Sequence, residues 1–108
     1  MENLKTGRQV VQIKNVSKRV TMSGEEYFIV LLQNETGRMW DTIEVNQVGR
    51  QKAFSIMQHV ADRYDGHGHW TAQKTEIELK KLVGKKVSVD VIENDNGSLQ
   101  AIGYKKAQ

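Results

Sequence analysis

A mainly β fold of five strands, with a helix between the third and the fourth, is what this sequence predicts, and three observations carry it. The chain reads as three strand-like runs, a helical stretch and two more strand-like runs. The strand-like runs alternate apolar and polar residues or are dense in branched and aromatic ones, and turn residues separate them. A tryptophan, Trp40, stands near the start of the third run. This order is the outline of a five-stranded OB-like barrel, and an aromatic residue at that place sits where such barrels stack bases.

The first strand is expected over 8–20 (RQVVQIKNVSKRV), where valine and isoleucine nearly alternate with polar residues and the run is long enough to bend around Asn15. A loop at Met22-Ser23-Gly24-Glu25 leads to the second strand, 27–33 (YFIVLLQ). Asn34 to Arg38 fits a three-residue hairpin loop in which Gly37 supplies a left-handed conformation. The third strand, 39–46 (MWDTIEVN), places Ile43 and Val45 on one face and Trp40, Thr42 and Glu44 on the other.

From Arg50 to Tyr64 the period lengthens. Ala53, Phe54, Met57, Val60, Ala61 and Tyr64 recur at three- and four-residue spacing, which predicts an amphipathic helix that Gly66 would end. After a glycine-rich loop at 65–70, Thr75-Glu76-Ile77-Glu78 has the spacing of a capping box opening a short helix that Gly84 would close. The fourth strand, 86–93 (KVSVDVIE), alternates cleanly. The turn Asn94-Asp95-Asn96-Gly97 then returns the chain into the fifth strand, 98–105 (SLQAIGYK).

One domain accommodates all 108 residues. The absence of cysteine excludes disulfides and thiolate chemistry and suits a reducing compartment. The opening Met-Glu-Asn-Leu-Lys has no signal-peptide core, and the longest apolar run, Phe28 to Leu32, is too short to span a bilayer. A cytoplasmic protein without membrane partners is therefore expected. Sixteen basic against thirteen acidic residues leave a formal charge of +3 and bias the chain toward polyanions. The charges are zoned. Lys14, Lys18, Arg19, Lys85, Lys86, Lys105 and Lys106 fall on or beside strands, whereas Asp62, Asp65, Glu76 and Glu78 fall in the helical region.

Cross-strand pairing decides which residues surround Trp40. With the three-residue loop, Leu32 faces Trp40, Val30 faces Thr42 and Phe28 faces Glu44, leaving Ile29 and Leu31 to the core. With a loop of two or four residues the parity flips, and Tyr27, Ile29, Leu31 and Gln33 share the tryptophan's face. Either register puts surplus apolar surface on the outer face, which calls for a cover: a ligand, a local loop or a second copy of the chain. As a ligand site it forms a stacking platform of Trp40 with Phe28 or Tyr27 nearby. Lys14, Lys18, Arg19, Arg38 and Lys105 supply cations for phosphates, and Thr42 and Tyr104 lie alongside.

No P-loop, G-x-G-x-x-G or H-E-x-x-H is present, no serine or aspartate sits in a recognised catalytic turn, and no enzyme or cofactor is expected. His59, Asp62, His67 and His69 cluster in sequence, but no thiolate or acidic set completes a metal site.

The strings Glu-Tyr-Phe-Ile-Val-Leu-Leu after a glycine turn, Thr-Gly-Arg-Met-Trp-Asp, and Leu-Val-Gly-Lys-Lys-Val-Ser-Val-Asp-Val, with a helix between the last two, are carried over nearly the whole chain. In this the sequence resembles the small OB-fold single-stranded-DNA-binding proteins of phages and mobile elements of Gram-positive bacteria. The resemblance implies non-catalytic binding of single-stranded DNA in replication or recombination, with Trp40 and Arg38 on the binding face and replication or recombination proteins as further partners. Where bacterial proteins of this kind often carry an acidic tail that recruits partners, this sequence has Tyr-Lys-Lys-Ala-Gln. The alternative expectation is an OB-like interaction or homo-oligomerisation module whose apolar face is a subunit interface.

Overall fold

A computed structural model describes residues 2–63 and 71–107 of the chain. Five strands, β1 (Gly7–Val20), β2 (Glu26–Gln33), β3 (Arg38–Glu44), β4 (Lys86–Glu93) and β5 (Leu99–Lys106), form one antiparallel sheet in the order β3-β2-β1-β4-β5. Two helices, α1 (Gln47–Val60) and α2 (Ala72–Lys80), lie between β3 and β4 in sequence. The mainly β class follows from the alternating runs. The closed barrel does not: β3 and β5 share no ladder and are the two edges of the sheet.

β1 organises the sheet because it is long enough to serve two partners. Its first half, Gly7 to Gln12, pairs with β4, and its second half, from Gln12 to Val20, pairs with β2. Between them the register steps from Ile13 opposite Leu32 to Asn15 opposite Leu31, so Lys14 is the extra residue of a bulge. A bulge bends its strand, and this one lies where the expected bend around Asn15 was placed.

The β2–β3 hairpin takes the flipped parity. Gln33 pairs with Arg38, leaving four residues in the turn, and Trp40 therefore lies opposite Leu31, Thr42 opposite Ile29, and Glu44 opposite Tyr27. The three-residue loop is overturned by the side chain of Asn34, whose Oδ1 accepts from the Thr36 amide at 2.8 Å and the Gly37 amide at 3.1 Å, holding the longer turn. Gly37 does not take the expected left-handed φ and is needed for a different reason. A Cβ there would stand 2.5 Å from the carbonyl oxygen of Glu2, because residues 2–4 run against the start of β3. The Arg38 amide donates to Glu2 O at 2.9 Å, and the Leu4 amide to Arg38 O at 3.1 Å.

The inward rows of all five strands build the core with Ala53, Ile56, Met57 and Val60 of α1 and with Leu79 and Leu82. Each large apolar side chain buried this way contributes about 1.5–3 kcal/mol. α1 starts earlier than the period suggested because Asn46 caps it: its Oδ1 accepts from the Gly49 amide at 2.8 Å. Gly49 lets the helix sit on the end of β3, since a Cβ would lie 1.5 Å from the Glu44 carbonyl oxygen. The helix ends at Val60, short of Tyr64, which lies with Gly66 outside the described residues.

The expected capping box is corrected as well. Thr71, not Thr75, caps α2, and Thr75 is buried within the helix with its hydroxyl donating to Thr71 O at 2.9 Å. The backbone after α2 is stitched to β1 by the Gly84 amide donating to Ile13 O at 2.7 Å and the Ile13 amide to Lys85 O at 2.9 Å. Among the described residues, no helix is long and apolar enough to cross a membrane.

Candidate functional site

Trp40 is the residue around which the outer face is arranged. It is 45% exposed on β3, and its cross-strand row continues through half-buried Leu31 to Asn15. The next rows are Thr42, Ile29 and Ser17, then Glu44, Tyr27 and Arg19. Trp40 and Thr42 also line a groove between β3 and the turn joining β4 to β5, with Asn94, Ser98 and Gln100 opposite. The exposed indole thus has an apolar flank on the sheet and a polar wall across the groove.

The two other aromatic candidates lie elsewhere. Phe28 is 1% exposed, because the flipped hairpin parity turns it into the core opposite Ile43. Tyr104 is 5% exposed, and its hydroxyl donates to Asp41 Oδ2 at 2.5 Å. Neither offers a ring face to a ligand. The aromatic neighbour on the tryptophan's own face is Tyr27, half-buried at the far end of the sheet.

Of the cationic candidates, Lys14 is exposed at the β1 bulge, Arg19 ends the Tyr27 row, and Arg38 begins the row next to Trp40. Lys105 lies opposite Ser88 and, through it, Val10 on the outer face of the other half-sheet. Lys18 is the exception. It pairs with Phe28, so its parity is that of the inner face, and its Nζ lies 4.0 Å from Glu26.

Pairing with carboxylates separates the two sides of the molecule. Lys80 and Lys81 on and after α2 meet Glu76 and Glu78, and Lys85 and Lys106 meet Asp62, at 2.7–3.9 Å. The hydrogen bond from Lys85, then its charge, holds the Asp62 carboxyl below the usual carboxylate range. By contrast, among the described residues Lys14, Arg19, Arg38, Lys86 and Lys105 have no carboxylate within ion-pair distance. Arg50 and Arg63 on the helical side share that condition, but neither belongs to a cluster on the sheet. These sheet cations share the outer face with Trp40, as does the exposed carboxylate of Glu44.

Beneath Trp40 the sequence hid a polar centre. Asp41 is fully buried on the inner row between Met39 and Ile43 and accepts from Lys52 Nζ of α1 at 3.0 Å, the Ala101 amide of β5 at 3.1 Å, and Tyr104. One carboxylate so ties both edge strands and α1 together where no ladder joins the edges. Burial, then the nearby carboxylate charge and its hydrogen bond, raises the Tyr104 phenol well above its ordinary range. The signal was present in the sequence: an acid at the inward parity of an otherwise apolar row.

Among the described residues no group of three or more histidine, cysteine, aspartate or glutamate side chains gathers around a metal position. His59 Nδ1 is within hydrogen-bond distance of Ser55 O, and Asp62 is engaged by lysines, while His67 and His69 lie outside the described residues. No protein-family model matches the chain, and no curated protein matches it significantly.

Proposed function

We propose that this protein binds single-stranded DNA with little sequence preference, stacking bases on Trp40 and neutralising phosphates with the cations of the outer sheet face. The observation that carries the reading is the half-exposed indole in its groove, on a face whose cations have no carboxylate partner among the described residues. Stacking tolerates any base because every base has a π face, and unpaired lysine and arginine are what phosphates replace water at. The working residues around the stacked base are Trp40 with Arg19, Arg38, Thr42 and Lys105, and Tyr27 extends the platform.

The proposal includes an OB-like architecture. β3 and β5 run parallel, bridged by Asp41, and joining them would give the closed order β1-β2-β3-β5-β4 of that barrel. A service in phage or mobile-element replication or recombination, in the cytoplasm, rests on the sequence resemblance.

Titration of tryptophan fluorescence with an oligothymidylate at several salt concentrations tests the function. Binding quenches Trp40, and log K falls with log salt at about −0.7 per neutralised phosphate. Trp40→Ala weakens binding by about 5- to 150-fold, the equivalent of about 1–3 kcal/mol for a stacked base, and also controls for emission from Trp70. Absent quenching and salt dependence, together with a Trp40→Ala shift from oligomer to monomer, would overturn the reading in favour of a subunit interface.

A further inference from the structure

The outer face holds a second concavity, apart from the one beside Trp40. It lies between the bend of β1 and the Asn34 turn, and Lys14, Lys86, Gln12 and Gln33 line it. Its register with the first site is fixed by the sheet. Arg38, Gln33, Gln12 and Lys86 form one continuous cross-strand row over β3, β2, β1 and β4, adjacent to the row that begins with Trp40.

The chemistry of this groove suits a phosphodiester. Lys14 and Lys86 approach it from the bulge and from the start of β4, and among the described residues no carboxylate neutralises either. Gln12 spends its amide nitrogen on Gly84 O at 3.0 Å, which fixes the side chain as a wall of the groove and leaves the lysines as its cationic donors. Gln33 makes no side-chain hydrogen bond to the described residues and retains its amide donor. The single opposing charge is Glu35, exposed on the rim.

We propose that this groove is a second subsite, which takes the sugar-phosphate backbone of the strand whose base stacks on Trp40. The inference rests on the single-stranded-DNA reading and specifies its path. The bound strand crosses the sheet from β3 over β2 and β1 to β4, instead of following the groove beside the β4–β5 turn. Three interstrand steps at about 4.8 Å make the crossing about 14 Å long. One stacked nucleotide does not reach across it, so the second subsite acts only on longer strands.

Fluorescence quenching with a thymidine dinucleotide, too short to span the crossing, and with an oligothymidylate of about 12 nucleotides, within the usual site sizes of about 4–16 per OB fold, is the test. On the longer strand Lys14→Ala and Lys86→Ala each reduce the salt slope by about 0.7 and leave the quenching at saturation unchanged. On the shorter strand neither changes the slope, and Lys81→Ala, paired with Glu78 on the helical side, changes it on neither. A wild-type slope for Lys14→Ala and Lys86→Ala on the longer strand, with Trp40→Ala still defective, overturns the second subsite alone. No quenching of the wild-type protein by either strand overturns both the subsite and the function it rests on. Unchanged urea midpoints of the lysine variants exclude loss of fold as the cause.

Discussion

Removing the Asp41 carboxylate is expected to destabilise this fold strongly. In Asp41→Ala two fully or nearly buried donors, the Ala101 amide and the Tyr104 hydroxyl, lose their acceptor, and Lys52, about one-fifth exposed, loses its counter-charge. An unsatisfied buried donor costs about 1–3 kcal/mol, so the two together cost about 2–6 kcal/mol. Breaking a buried charge pair by deleting one partner independently gives about 3–5 kcal/mol. The agreement sets the expectation at about 3–5 kcal/mol out of the roughly 5–15 kcal/mol typical of a domain.

Urea unfolding followed by far-ultraviolet circular dichroism reads this as a lower midpoint at unchanged slope. In thermal unfolding it is a fall in Tm of more than about 10 °C. Asp41→Asn keeps an acceptor of the same shape but not the charge opposite Lys52, and falls between wild type and Asp41→Ala. A cost below about 1 kcal/mol for Asp41→Ala would refute the account. So would additivity of Asp41→Ala and Tyr104→Phe within about 0.5 kcal/mol, because side chains sharing a bond must couple.

Two further outcomes follow from the same structure. Gly49→Ala places a methyl carbon against the Glu44 carbonyl oxygen, backbone against backbone, and lowers stability by at least the roughly 1–3 kcal/mol of an overpacked core, read as a fall in Tm. For pH, the Tyr104 phenol is raised in the folded state above an unfolded value near 10. Its contribution is therefore complete below about pH 10 and is lost as pH climbs from there toward the folded value. The urea midpoint should hold from about pH 8 to about pH 10 and then decline, and Tyr104→Phe should flatten that decline; an equal decline in the variant would assign it to other groups.

Periodicity made the strands, their order and α1 legible, because a buried face leaves its imprint on every second or every third and fourth residue. It failed where one side chain chose between two local geometries. Asn34 selects the four-residue turn, and that single choice moved Phe28 inward and Ile29 and Leu31 outward. Tyr104, followed by two lysines, has the local sequence of a surface aromatic, and only its hydrogen bond to Asp41, 63 residues away in sequence, shows why it is buried. Trp40 kept its place on the outer face in both readings, since either parity set it opposite the Ile43 row. Lys18 falls on the inner-face parity for the complementary reason: the bulge at Lys14 resets which residues of β1 face outward.

A sheet of five strands has two edges, and exposed edges are where separate chains zip together into aggregates. Here the edges are turned toward each other. Residues 2–4 occupy the backbone of β3 at Arg38, and Asp41 takes the Ala101 amide of β5 from the other side. A stretch of β3 and a donor of β5 are thereby withdrawn from any incoming strand, so the seam that holds this molecule together also guards it against polymerising with its own copies.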